Sequence, residues 1–84
     1  MTFIDDSRLF AKEYFFQNDE RKYSYHWTSF SGELIFRWDN APHWENLKTF
    51  PHHKHTPIDI IESRETTLEE VLKLINKILS SKKI

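Results

Sequence analysis

Between Arg37 and His55 the chain gathers Arg37, Asp39, Asn40, His43 and the run His52-His53-Lys54-His55, which together hold four of its five histidines. Histidine is the side chain whose unperturbed pKa lies near neutral pH, so it both takes and gives protons there. Cleavage of RNA by attack of a 2′-hydroxyl needs a base, an acid, and cations that stabilise charge on phosphorus. His43, His52, His53 and His55 are the candidates for base and acid, and Arg37 and Lys54 supply the cations without any metal. Arg37, Asp39, Asn40 and Lys48 are the candidate substrate-binding residues. From His43 to His55, Lys48 and Lys54 stand against the single acid Glu45, so the segment is locally cationic.

The same residues allow a metal centre. In an extended backbone His53 and His55 point to one side, and His43 approaches from the other end of the segment. Three imidazoles and a water make a recognised catalytic zinc arrangement, with Asp39 a fourth donor if the strand end bends toward them. The spacing is not a specific zinc signature, however, and the chain has no cysteine to complete a closed site. The expectation is therefore no cofactor, with zinc or manganese at His43, His53 and His55 as the alternative. A third reading is purely structural, with solvated histidines or hydrogen bonds that hold a long loop in place. Arg37 and Asp39 lie two apart on one strand face, where an exposed ion pair contributes only ~0–1 kcal/mol. His26, alone between Ser24 and Thr28, reads as a surface or interface residue. Tyr23, Tyr25 and Trp27 have a face on which bases could stack, but aromatics alternating on a strand read as core.

The elements that must position these residues are marked by turns. A short strand over 2–4 precedes the polar break Asp5-Asp6-Ser7. Strands follow over 8–17, 21–30 and 34–39, separated by Asn18-Asp19-Glu20 and Ser31-Gly32-Glu33. Alternation sets Tyr23, Tyr25 and Trp27 on one face, and Leu34, Phe36 and Trp38 on another, with Ile35, Arg37 and Asp39 opposite. Such short turns favour an antiparallel meander. Residues 40–57, punctuated by Pro42, Pro51 and Pro57, fit no period and read as a functional loop anchored by Trp44, Leu47 and Phe50. An edge strand is expected over 58–62. The clearest element is a helix over 67–81, with Thr67 and Glu70 in capping-box spacing and a stripe of Leu68, Val71, Leu72, Ile75, Ile78 and Leu79. Glu69 and Glu70 suit its positive end, and Lys77, Lys82 and Lys83 its negative end. The fold class is α+β, a meander of four to five strands packed on one C-terminal amphipathic helix in a single domain over 1–84.

Composition narrows the function. With 84 residues and no cysteine, the chain buries only ~60–65% of its unfolded surface and has no disulfide to supplement the core. Seven Phe, three Tyr and three Trp supply the core instead, and they are hard to hide in one small monomer, which points to a homodimer. A formal net charge of -1 excludes a chain that coats nucleic acid by bulk charge. The start, MTFIDDSRLF, has no signal-peptide pattern and no stretch is long and apolar enough to span a membrane, so the expected location is cytoplasmic.

The run Gly32-Glu-Leu-Ile-Phe-Arg-Trp-Asp-Asn-Ala-Pro-His43, followed by Asn46-Leu-Lys-Thr-Phe-Pro-His-His-Lys-His55, resembles the TumE-like family of prokaryotic toxin–antitoxin toxins, formerly a domain of unknown function. The likeness covers roughly Ile4 to Leu79, including Glu62 and the Thr67-Leu-Glu-Glu-Val start of the last helix. The family motif falls on Arg37, Asp39, Asn40, His43, Pro51, His52, His53, Lys54 and His55. Relative to that pattern the chain begins almost at the first strand, as a short form. The resemblance implies a toxin, a helix-turn-helix antitoxin encoded by a neighbouring gene, and action on RNA or the ribosome. The leading expectation is a metal-independent endoribonuclease. The alternatives are a non-enzymatic module that docks a partner through the histidine-rich loop and dimerises, and a metal-dependent hydrolase.

Overall fold

The computed structural model describes residues 1–81; Lys82 and Lys83, expected at the negative end of the helix, lie outside the described residues. Five strands, β1 (Arg8–Phe15), β2 (Arg21–Thr28), β3 (Leu34–Asp39), β4 (His53–His55) and β5 (Ile60–Glu62), precede one helix, α1 (Leu68–Ser81). All neighbouring pairs are antiparallel and the sheet order is the chain order. The α+β meander expected from the turn spacing is therefore the observed fold. No helix among the described residues is long and apolar enough to cross a membrane.

The turns sit where their residues demand. Asp19 has φ 65° in the β1–β2 turn, and Gly32, the chain's single glycine, has φ 90° in the β2–β3 turn, a left-handed conformation that strains any side chain. Several bounds differ from expectation: β1 ends at Phe15 and β2 at Thr28 rather than at 17 and 30, and β5 begins at Ile60 rather than at 58. Thr2 makes one isolated bridge to Arg8 rather than opening a strand over 2–4, because the chain reverses at once through Asp6 at φ 65°. The histidine-rich loop is also shorter than 40–57. Its last residues, His53–His55, pair with Arg37–Asp39 and become β4. This pairing supplies the hydrogen bonds that an irregular 18-residue loop would leave to solvent.

One sheet face carries the core. Leu9, Tyr23, Tyr25, Trp27 and Trp38 are buried against Val71 and Ile75 of α1, with Phe36, Leu68 and Leu72 packed around them. Trp27 is 1% exposed, meets Phe3 edge-on and Phe36 at a tilt, and donates its indole N–H to Ser7 Oγ at 3.0 Å. Ile35, expected on the Arg37 face, packs instead against this core, because the β2–β3 register shifts at Trp27/Thr28. Thr67 caps α1: its Oγ1 accepts the Glu70 N–H at 3.3 Å, as the capping-box spacing requires. Seven of the thirteen aromatics remain exposed, namely Phe10, Tyr14, Phe15, Phe16, Phe30, Trp44 and Phe50. The core needs only the other six.

Candidate active site

The face of the sheet away from α1 holds the polar residues, because side chains in a strand alternate between faces. Cross-strand partners share a face, so the ladder aligns one row, Phe10–His26–Arg37–His55–Ile60, from β1 to β5. The next row is Lys12–Ser24–Asp39–His53–Glu62. Arg37, Asp39, His53 and His55, picked out from the sequence, thus meet at the β3–β4 pair.

Asp39 is the hub. It is 4% exposed, and its carboxylate takes contacts from three sides. Oδ2 accepts Arg37 Nε at 2.9 Å and lies 3.4 Å from His55 Nε2; Oδ1 lies 2.8 Å from His53 Nε2 and accepts the Ala41 N–H at 3.0 Å. The Arg37–Asp39 pair is therefore part of a network centred on a buried carboxylate, with Arg37 itself partly exposed, rather than an isolated surface pair. His53, 2% exposed, donates Nδ1–H to the Pro51 carbonyl at 2.9 Å, since a carbonyl oxygen only accepts. Its Nε2 is thereby the nitrogen turned to Asp39, and it also lies 3.1 Å from His55 Nε2. His55 keeps about a quarter of its side-chain surface in solvent, so it can reach a bound molecule as His53 cannot. Burial lowers the His55 pKa; Asp39 opposes that shift, while His53 and Arg37 reinforce it.

On the other side of Arg37, Nη1 lies 3.3 Å from His26 Nδ1. A guanidinium has only donors, so His26 accepts on Nδ1 and carries its hydrogen on Nε2. Burial, and then the Arg37 charge, lower its pKa. From the sequence His26, with no histidine neighbour in the chain, reads as a surface or interface residue; the β2–β3 register pairs it with Arg37. Trp27 and Phe36 sharing the apolar face is compatible with this pairing but does not fix it, since a slip of two residues keeps the same faces.

The other candidates lie elsewhere. Lys54, expected to hold phosphate, projects from the opposite face of β4, with Nζ 3.8 Å from the Phe36 ring centroid and 5.1 Å from that of Trp38. The period of two that sets His53 and His55 on the polar face sends Lys54 to the apolar one, where burial lowers its pKa. His52 precedes β4 and is tied to Tyr23, stacking on its ring at 5.8 Å with Nδ1 2.9 Å from its hydroxyl. Asn40 is used by the backbone: Nδ2 donates to Arg21 O at 2.7 Å and Oδ1 accepts the Tyr23 N–H at 3.0 Å. His43 and Lys48 are exposed on the loop between β3 and β4. The expected metal set of His43, His53 and His55 is accordingly not the one that converges. Among the described residues, ligand atoms of Asp39, His53 and His55 lie within 4.8 Å of one another.

Fold and site together define a small α+β protein with a histidine–carboxylate centre on the open face of its sheet. The chain belongs to the TumE toxin family, whose model matches residues 1–81. No curated protein and no solved structure matches it.

Proposed function

We propose that this toxin cleaves RNA by acid–base chemistry, with His26 as base, His55 as acid and Arg37 holding the scissile phosphate between them. One observation carries the reading: the two histidines flank Arg37 in a single cross-strand row. Neighbouring strands lie ~4.8 Å apart, which sets the two histidine Cα atoms about 10 Å apart with the guanidinium between them. As Arg37 Nη1 turns from His26 Nδ1 to the phosphate, that imidazole nitrogen is freed and takes the proton of a 2′-hydroxyl, O2′ bonds to phosphorus, and the P–O5′ bond breaks. His55 gives its proton to O5′, leaving a 2′,3′-cyclic phosphate and a 5′-hydroxyl. Arg37 offsets charge on the non-bridging oxygens. Asp39 and His53 are positioning residues that fix the His55 ring. The partner we expect is an antitoxin, a helix-turn-helix protein from the neighbouring gene.

The pH dependence of kcat/KM reports the free enzyme's acid and base. The reaction needs His26 unprotonated and His55 protonated. The rate therefore rises as pH climbs through the His26 midpoint and falls as it climbs through that of His55. Burial holds both below the ordinary value of 6.5. For a short RNA the profile should peak on the acid side of 6.5 and decline through neutrality. A rate that keeps rising into the alkaline range sinks the assignment.

A second reading has its own support. Two imidazole nitrogens and a carboxylate cannot all turn lone pairs on one another without a proton or a cation among them. His53 Nε2 lies 2.8 Å from Asp39 Oδ1 and 3.1 Å from His55 Nε2, which lies 3.4 Å from the other carboxylate oxygen, Oδ2; ligands of a tetrahedral ion at ~2.1 Å are roughly 3.4 Å apart. The His53 Nδ1–H bond to a backbone carbonyl is also the usual support of a metal-bound histidine. Zinc or manganese at Asp39, His53 and His55 would supply an activated water and make the toxin a metal-dependent hydrolase. That reading requires activity to disappear in EDTA and return with the metal.

A further inference from the structure

We infer that the open face of β1 and β2 is the bed for a single strand of RNA, which it feeds to the row of His26, Arg37 and His55. The inference rests on the cleavage proposed above for its choice of RNA, and on a separate surface for its geometry. That surface is a groove of about 670 Å³. Its charged lining residues are Arg8, Lys12, Lys22 and Arg37, with no acid among them, although the whole chain carries a formal net charge of -1. Charge of one sign gathered in one groove, on a protein with slightly more acids than bases, marks a site for a polyanion.

The pattern along β1 narrows the polyanion. Its outward-facing residues are Arg8, Phe10, Lys12 and Tyr14, alternately a cation and an aromatic ring. Phe10 is 53% exposed and Tyr14 57%, so both rings are open to a ligand. Cations meet phosphates and rings stack on bases, a pairing that tracks single-stranded nucleic acid with little sequence preference. A duplex keeps its bases stacked on one another and cannot use the rings. The groove does not end blindly. His26 and Arg37 line it, and Arg37 is bonded to Asp39 of the histidine centre, so a strand lying along β1 and β2 brings a phosphate to the reacting row.

Fluorescence anisotropy of a 5′-labelled ten-nucleotide oligouridine tests this, in a His55→Ala background so that the probe stays intact. Lys12→Ser with Lys22→Ser should lower the slope of log K against log salt by about 1.4, at roughly 0.7 per phosphate contact on a single strand. Tyr14→Ala should weaken binding by roughly 5- to 150-fold, the range for one lost base stack. All three positions are exposed, and unchanged thermal melts will show that the variants fold. An unchanged slope and affinity overturn the inference, as does a duplex of equal length that binds as tightly. Groove variants that release the antitoxin while leaving RNA binding untouched also overturn it, in favour of a protein partner. The two proposals fail separately. RNA cut normally by the groove variants removes this inference alone, and a groove that binds RNA which the wild type never cuts removes the cleavage reading alone.

Discussion

His55→Ala is expected to abolish growth arrest and to slow cleavage of RNA by ~10²–10⁴-fold, the usual contribution of one general acid. The fold should survive, because His55 is partly exposed and its contacts are with Asp39, His53 and the edge of Trp44. His26→Ala should cost a similar factor, since the proton must be removed as well as delivered. The double variant should be far less impaired than the product of the two factors, because acid and base act as a unit. His53→Ala separates positioning from contact. It removes a buried partner of Asp39, so it should lower the melting temperature as well as the rate, whereas His55→Ala lowers the rate alone. Colony counts under induction, single-turnover cleavage and thermal melts check the set. If His55→Ala stays toxic, the site is misassigned.

The largest effect on stability should come from Trp27→Ala. The side chain is almost wholly buried at the centre of the core, between Leu9 and Phe36 on the neighbouring strands. Truncation leaves a cavity and deprives Ser7 Oγ of its indole donor. Such changes cost ~3–5 kcal/mol, against a total of ~5–15 kcal/mol for a folded domain. In a chain of 84 residues with no disulfide, that is enough to leave it largely unfolded. Urea titration followed by tryptophan fluorescence, which Trp38 and Trp44 still report, should show little or no cooperative transition. A midpoint close to wild type would contradict this account of the core.

Much of the fold was legible because the strands alternate cleanly. Tyr23, Tyr25 and Trp27 declare the apolar face of β2, and Phe36 and Trp38 that of β3; these residues are the observed core or pack against it. The helix announced itself through the Thr67 cap and its apolar stripe. β4 did not. Three residues between Pro51 and Pro57 carry no readable period, and only pairing with β3, far off in sequence, makes them a strand. That one unseen pairing sets where the site's side chains lie. It sends Lys54 to the apolar face and brings Asp39, rather than His43, to His53 and His55. It also completes the row that joins His26, Arg37 and His55. Arg37, Asp39, His53 and His55 were visible as residue types. Their geometry was not, because it depends on register across three strands.

The most direct test of the central claim is the chemistry of the cut ends. Purified toxin should be incubated with a labelled single-stranded RNA in excess EDTA and the termini identified. Acid–base cleavage by His26 and His55 predicts full activity under chelation, with 2′,3′-cyclic phosphate and 5′-hydroxyl ends. Activity lost in EDTA, restored by zinc or manganese, and yielding 3′-hydroxyl and 5′-phosphate ends would contradict it and assign Asp39, His53 and His55 to a metal.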